Sequence, residues 1–286
     1  MSRIRTQSGE FYQIKITDYG TEKKITFYSK PIERGARYEN NEKNSVDWNE
    51  FDNDLKSIGW LAPEAYTSPF PLDKFWDLDD PDEIDAFKRN LNRAKNMVYD
   101  LARANKWEWF ATFTFSKDKI DRYDYDNIRK KFFKFLNNYK ERCAPDLKYV
   151  IIPEQHEDLA IHFHALMSNI RTDDLVLIKG KRKKYLNLIQ FYDKFGFSVF
   201  DPIRSSEAAS NYVTKYITKH QFQNKKYQKR FYVTQNLNRP TVTYTEDTDI
   251  VKFLEEQAQH LDLLYIKTKR WGEMDINWIE MKSKEK

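Results

Sequence analysis

Apolar side chains recur at alternating spacings of three and four residues from residue 82 onward. This spacing predicts an amphipathic helix with one buried face, made by Ile84, Phe87, Leu91, Ala94, Val98 and Leu101. The same periodicity over 125–142 predicts a second helix. Ser205 and Ser206 are typical N-terminal caps and predict a third helix that ends near His220.

Apolar or alternating runs between these helices predict five strands. They cover residues 107–116, 147–154, 160–168, 196–203 and 229–235. The resulting order is β, α, β, β, β, α, β, which is typical of an α+β domain. We therefore expect a central antiparallel sheet of about five strands with the helices packed on one face.

The pattern also divides the chain into four parts. Residues 1–62 predict a small β-rich N-terminal unit, because two alternating segments flank a turn. Residues 63–81 are rich in Pro and Asp and predict a connector. The α+β domain is then expected over 82–240, and residues 241–286 form a C-terminal extension to which the sequence assigns no role.

Composition argues against several classes of protein. The single cysteine, Cys143, excludes an internal disulfide and a multi-cysteine zinc site. None of the seven glycines lies five positions from another, which excludes the Walker A loop and the GxGxxG fingerprint, so no nucleotide cofactor is expected. The longest run without Asp, Glu, Lys or Arg is 159–170, shorter than the roughly 18 apolar residues of a membrane span. The first ten residues do not resemble a secretory signal.

Positive charge is concentrated in one part of the chain. Residues 171–240 contain 15 Lys and Arg but five Asp and Glu, and 16% of the whole chain is aromatic. Cations for phosphates and rings for unpaired bases indicate a nucleic-acid partner, although a solvated basic face and a large aromatic core would look the same. The candidate DNA-binding residues are Lys181, Arg182, Lys183, Lys184, Lys225, Lys226 and Arg230.

Two histidines alternate within the strand predicted over 160–168. Residues two apart on a strand share a face, so His162 and His164 are expected to project together. A hairpin centred on Asp158 would place Glu154 opposite His162, and a shift by one step would place it opposite His164. Two imidazoles and a carboxylate suit Mg²⁺ or Mn²⁺ and also Zn²⁺ or Fe²⁺, while two unrelated strand histidines are the structural alternative.

Two tyrosines lie four residues apart on the helix that Ser205 and Ser206 begin. Tyr212 and Tyr216 are each followed three residues later by a lysine, Lys215 or Lys219. Residues four apart share a helix face, so the lysines form a row beside the phenols. A neighbouring cation favours a phenolate or holds a phosphate. Aromatic pairs at this spacing are more often part of a core.

Taken in order, three segments resemble the motifs of the HUH endonucleases, specifically the two-tyrosine rolling-circle replication initiators of small phages and plasmids. These segments are WEWFATFTF at 107–115, PEQHEDLAIHFHAL at 153–166 and NYVTKYITK at 211–219. The resemblance covers about 85–240 and does not reach the first 60 residues or the C-terminus. Each motif is short, but their joint order and spacing are specific.

The resemblance implies a nicking and ligating enzyme for single-stranded origin DNA. Tyr212 or Tyr216 would attack the scissile phosphate, leaving a 5′-phosphotyrosine and a 3′-OH primer, and the strands would later be rejoined. Mg²⁺ or Mn²⁺ would lie on Glu154, His162 and His164. The third ligand varies in this family, so Glu157 or His156 are alternatives to Glu154.

The same resemblance implies partners and a location. The expected partners are single-stranded DNA or an origin hairpin, with a helicase and a polymerase of the host. The expected location is the cytoplasm of a bacterial host cell, without a membrane partner. Mobilisation relaxases and HUH transposases use the same residues on other substrates. A DNA-binding protein without catalysis and a non-haem iron oxygenase are the alternatives of other classes.

Overall fold

The structure is a computed structural model that describes residues 11–33, 81–156, 158–179, 184–204, 206–219, 229–245 and 250–284. The chain forms two compact units. One contains residues 80–241, and the other contains the β-strands of the two ends of the chain. No helix in the described ranges is long and apolar enough to cross a membrane.

The described elements are numbered here in chain order. The helices are α1 Pro81–Arg103, α2 Tyr125–Arg142, α3 Ile189–Lys194, α4 Ser206–Lys219 and α5 Ile250–Ala258. The first six strands are β1 Phe11–Asp18, β2 Glu22–Glu33, β3 Trp109–Phe115, β4 Lys148–Gln155, β5 Ile161–Ser168 and β6 Leu175–Lys179. The other six are β7 Lys184–Leu188, β8 Gly196–Pro202, β9 Tyr232–Val233, β10 Thr241–Thr245, β11 Leu261–Trp271 and β12 Met274–Ser283.

The larger unit is built on an antiparallel sheet, which confirms the predicted α+β class. Its strand order is β6-β7-β8-β3-β5-β4-β9. The described part of this sheet has seven strands, so the expectation of about five was too low. The two additional strands, β6 and β7, flank the basic loop, and their end residues Lys179 and Lys184 pair with each other. Each has only five residues, and the run of lysines between them conceals the hairpin in the sequence.

One face of this sheet packs against α2, whose predicted bounds agree with the structure. Ile128, Phe132, Leu136 and Tyr139 are buried on the inner side of this helix. The carboxylate of Asp124 accepts a hydrogen bond from the backbone N–H of Asn127, which satisfies a donor in the first turn. Burial of this apolar stripe against the sheet stabilises the helix.

The other face of the sheet packs against α1 and α4. Val98 and Leu101 of α1 share a buried cluster with Val213 and Ile217 of α4 and with Leu166 of β5. The helices therefore lie on both faces, and the expectation that they share one face was wrong. The cause lies in β5 itself, where apolar residues alternate with the two histidines and with Leu166, so that both sides of the strand are buried.

Gly196 allows two strands to approach closely at the start of β8. A Cβ atom at this position would overlap the carbonyl oxygen of Thr114 and would lie only 2.7 Å from the backbone nitrogen of Ser116. Any other side chain would force β3 and β8 apart, so the glycine keeps β3 in the centre of the sheet.

The second unit is a five-stranded sheet with the order β10-β1-β2-β12-β11. β1 and β2 confirm the two strands predicted near the N-terminus. Ile14 and Ile25 from these strands form a buried cluster with Leu261, Ile279 and Met281 from the C-terminal strands. The sequence did not predict that the two ends of the chain share a sheet. The amphipathic stretch 250–264 is also divided between α5 and β11.

Candidate active site

The β4–β5 hairpin brings the acidic residue and the two histidines together. The register places Glu154 opposite His162, which is one of the two pairings that the sequence predicted. Phe163, between the histidines, is fully buried in the cluster that contains α2. The imidazoles therefore lie on the face that carries α1 and α4, as alternation along a strand requires.

Glu154 and His164 form the buried centre of the site. The Oε2 atom of Glu154 contacts the Nε2 atom of His164, and the two residues are 4% and 6% exposed. A buried carboxylate requires such a partner, because transfer from water to a less polar surrounding disfavours an unpaired charge. The direct backbone partner of Glu154 is His162, yet its side chain contacts His164.

His162 lies at the edge of this centre and is half-buried. Its Nδ1 atom is 3.3 Å from the hydroxyl oxygen of Thr114, and its ring centroid is 5.0 Å from that of His156. Burial, assisted by the neighbouring His156 and His164, lowers the pKa of His162 to about 4, against the opposing effect of Glu154. The imidazole is therefore neutral at pH 7, which is the form that binds a metal.

Both tyrosines of α4 lie against this centre. The ring of Tyr216 stacks on that of His164, with centroids 3.7 Å apart and planes inclined by 19°. Its hydroxyl donates a hydrogen bond of 2.6 Å to the hydroxyl oxygen of Tyr212. Phe110 of β3 packs against both phenols, with centroid distances of 4.9 Å to Tyr212 and 6.0 Å to Tyr216.

The surroundings of Tyr212 act on its ionisation in opposite directions. Burial raises the pKa of the phenol, whereas the hydrogen bond from Tyr216 lowers it. The carboxylates of Glu154 and Asp201 add to the increase, because they oppose a second negative charge nearby. Any agent that neutralises Glu154 would therefore ease ionisation of Tyr212.

The donors are of the right kind for a divalent cation, but the arrangement is incomplete. Among the described residues, no three His, Cys, Asp or Glu side chains are grouped closely enough to hold a metal ion. Glu154 and His164 are in contact, and His162 lies on the same face of β5. Of the alternative ligands, His156 is exposed next to His162, and Glu157 lies outside the described residues.

A comparison with protein families bears on this cluster. Residues 108–221 match the family model of the replication-associated proteins of the ORF2 type. The matched segment contains Glu154, both histidines and both tyrosines. This part of the chain is therefore similar to a replication-associated protein. No curated protein matches the chain, and no solved structure matches it.

The predicted cationic residues are placed less completely. Lys215 is half-buried on α4, and Lys184 is exposed at the start of β7. Arg230 is also half-buried, and burial lowers the pKa of its guanidinium. The predicted residues that lie outside the described part of the structure are Lys181, Arg182, Lys183, Lys225, Lys226 and the side chain of Lys219.

Four neighbours of the site were not singled out from the sequence. Phe110, Thr112 and Thr114 come from β3, and Asp201 comes from the end of β8. The sequence contains one signal for the threonines, because they alternate in β3 as the histidines alternate in β5. This signal becomes readable only when the pairing of the two strands is known.

Proposed function

We propose that this protein is a rolling-circle replication initiator that nicks single-stranded origin DNA by tyrosine attack. The stacking of Tyr216 on His164 carries the proposal, because it places both phenols of α4 beside the histidines and Glu154. The family match over 108–221 supports it independently, since it points to replication. Four polar side chains from three elements thus converge at one position, which a purely structural aromatic core would not require.

The proposed reaction is a transesterification. The hydroxyl oxygen of a tyrosine attacks the scissile phosphorus, a P–O bond to tyrosine forms, and the P–O3′ bond breaks. The 3′ oxygen leaves and takes up a proton, which gives a free 3′-OH and a 5′-phosphotyrosine. The reverse reaction rejoins the strands without a nucleotide cofactor, because the phosphotyrosine preserves the energy of the diester.

Glu154, His162 and His164 would hold a divalent cation, with Mg²⁺ or Mn²⁺ as the proposed ion. Bound there, it would supply Lewis-acid polarisation of the phosphate. Two nitrogens and a carboxylate form a suitable donor set. The low pKa of His162 supports this role, since that ring needs to lose no proton at neutral pH.

The two tyrosines would have different roles while the first bond is made. Because Tyr216 donates its hydrogen bond to Tyr212, it stabilises negative charge on the oxygen of Tyr212. Lys215, and Lys219 one turn further on, would supply positive charge for the phosphate. After the first cut, the second phenol would attack the newly made junction while the first remains joined to DNA.

The DNA would bind as a single strand or an extruded hairpin. The basic residues of 171–240 would contact its phosphates, and exposed rings would stack on its bases. The 3′-OH would prime a polymerase of the host, and a helicase of the host would separate the strands.

The test is formation of a covalent adduct. Labelled single-stranded oligonucleotides that tile the DNA flanking the gene are incubated with the protein and Mn²⁺, and products are separated on a denaturing gel. We expect an adduct with the natural protein, a reduced adduct with Tyr212→Phe or Tyr216→Phe, and none with both changes. His162→Ala combined with His164→Ala should also abolish the adduct.

Tyr192→Phe is the matched control, because Tyr192 is an exposed tyrosine on α3 and takes no part in the site. It should leave the amount of adduct unchanged. An adduct that persists when both Tyr212 and Tyr216 are phenylalanine would overturn the tyrosine assignment. Tight binding of these oligonucleotides without any adduct would instead support a DNA-binding protein without catalysis. Replication of a plasmid carrying the gene and its flanking DNA separates initiation from mobilisation and transposition.

A further inference from the structure

Two threonines of β3 face the two histidines of β5. In the antiparallel register, Thr112 lies opposite His164 and Thr114 lies opposite His162. The hydroxyl oxygen of Thr112 is 3.2 Å from the Nδ1 atom of His164, and that of Thr114 is 3.3 Å from the Nδ1 atom of His162. The same contact therefore occurs twice, in successive cross-strand pairs on one face of the sheet.

We propose that Thr112 and Thr114 are positioning residues that orient the two imidazoles and set which ring nitrogen carries the proton. This inference rests on the proposed metal-assisted function, which requires both rings to present Nε2. A contact at Nδ1 leaves Nε2 as the outward atom of each ring. Hydrogen-bond partners at the second nitrogen commonly control both the orientation and the basicity of histidine ligands.

A hydroxyl group is suited to this position because it both donates and accepts. In the present structure the Nε2 atom of His164 contacts the carboxylate of Glu154, so Nε2 carries the proton and Nδ1 accepts from Thr112. When Nε2 acts as a ligand, the proton lies on Nδ1 and Thr112 accepts it. The neutral ring moves one proton between its two nitrogens, and the hydroxyl reverses its role without net proton loss.

The sheet holds the threonines as firmly as it holds the histidines. β3 is a central strand, paired with β5 on one side and with β8 on the other. Ala111 and Phe113, on either side of Thr112, are fully buried on the opposite face of the strand. The backbone therefore fixes the distance between each hydroxyl and its ring, and neither pair needs a flexible loop.

The test compares Thr→Val, which keeps the shape but removes the hydroxyl, with Thr→Ser, which keeps the hydroxyl. The first readout is the ¹⁵N chemical shift of the imidazoles in metal-free protein. We expect Thr112→Val to change the shifts of His164 and Thr114→Val to change those of His162, each leaving the other ring nearly unchanged. The serine variants should retain the natural shifts.

The second readout is binding of Mn²⁺ alone, followed by electron paramagnetic resonance of the free ion. Each valine variant should bind Mn²⁺ about 10- to 100-fold more weakly, and each serine variant should bind it nearly as the natural protein does. Thr26→Val is the matched control, because Thr26 is a buried strand threonine of the five-stranded unit. It should not affect Mn²⁺ binding.

The outcomes separate this inference from the proposed function. Unchanged imidazole shifts in both valine variants overturn the positioning role, whatever their Mn²⁺ affinity. If the natural protein binds Mn²⁺ and His162→Ala abolishes binding, but neither valine variant weakens it, the metal site stands and the positioning role fails. If the natural protein does not bind Mn²⁺, the metal part of the proposed function fails, and the imidazole shifts alone decide whether the threonines orient the rings.

Discussion

At the scale of single residues, burial favours the neutral form of both kinds of reactive side chain. It lowers the pKa of His162 and raises that of Tyr212. A neutral imidazole is ready to bind a cation, whereas a neutral phenol is a poor nucleophile. The site therefore needs an additional positive charge before Tyr212 reacts, and Glu154 is the residue whose neutralisation would provide most of the relief on this side of the sheet.

The pKa of His162 makes the stability of metal-free protein depend on pH. The unfolded chain takes up a proton at this residue near pH 6.5, but the folded protein does so only near pH 4. Between these values the unfolded state binds more protons, so the free energy of unfolding falls as the pH is lowered from about 6.5 to about 4. His162→Gln removes this contribution, so its loss of stability between pH 7 and pH 4.5 should be smaller than that of the natural protein.

The measurement is urea unfolding of both proteins at several pH values, together with an NMR titration of the imidazoles. The difference between the two proteins isolates His162 from the carboxylates that titrate in the same range. Parallel pH profiles for the natural protein and His162→Gln would contradict the prediction.

At the scale of elements, the position of α4 determines where the tyrosines lie. Val213 and Ile217 are buried against α1 and the sheet, and they are adjacent in sequence to Tyr212 and Tyr216. One stripe of the helix therefore packs while the neighbouring stripe carries the phenols. The packing fixes the rotation of the helix, and the rotation brings Tyr216 onto His164.

Ile217→Ala should lower the free energy of unfolding by about 2–5 kcal/mol, because it removes buried carbon atoms and leaves a cavity. It should also reduce adduct formation, since the ring of Tyr216 loses its support. Met97→Ala on α1 is the control, because Met97 is exposed and its truncation should change stability little. Urea unfolding measures the first effect and the denaturing gel the second. Equal stability of the two variants would contradict the prediction.

The β6–β7 hairpin is the element to which the basic loop belongs. Lys179 and Lys184 pair at its end, so the lysines of the loop lie at the tip of a two-stranded ribbon. A solvated loop and a DNA contact predict different salt dependence, because phosphate contacts release counterions on binding.

Changing Lys181, Lys183 and Lys184 to Gln should reduce the slope of log affinity against log salt concentration by up to about 0.7 for each phosphate of single-stranded DNA that the loop no longer binds. The matched control changes Lys130, Lys131 and Lys134, three exposed lysines of α2 on the other face of the sheet, to Gln. That variant should keep the natural slope. Fluorescence anisotropy with labelled oligonucleotides at several salt concentrations gives the slopes, and identical slopes for the two variants would show that the loop is only solvated.

At the scale of the whole molecule, the chain closes one sheet from its two ends. β12 pairs with β2, and Ile14 and Ile25 share a buried cluster with Ile279 and Met281. Every residue of the proposed site lies in the other unit. Stability of the five-stranded unit and chemistry at the tyrosines should therefore be separable.

Met281→Asp should disrupt the five-stranded unit, because an unpaired carboxylate in a buried cluster costs several kcal/mol. Adduct formation should persist in the same variant. Ile266→Asp is the control, since Ile266 is an exposed residue of β11 in the same unit. Hydrogen exchange should show loss of protection in β1, β2 and β12 for Met281→Asp but not for Ile266→Asp. Retained protection in both would contradict the prediction.

Sequence patterns alone predicted much of the larger unit. The bounds of α2, the main strands and the pairing of Glu154 with His162 all follow from local periodicity and from the short β4–β5 turn. Local patterns predict such features because they depend on near neighbours in the chain. The strands β6 and β7 were missed because both are short and border a run of lysines.

By itself, the sequence determined which residues are available for chemistry: the alternating His162 and His164, Glu154 across a short turn, and Tyr212 and Tyr216 one helical turn apart. The tertiary structure alone decided that helices cover both faces of the sheet, that Tyr216 stacks on His164, and that Thr112 and Thr114 contact the imidazoles. The physical reason is that these contacts join residues 48 or more positions apart. Such contacts depend on strand order and on helix rotation, which burial of the whole core selects and no local pattern encodes.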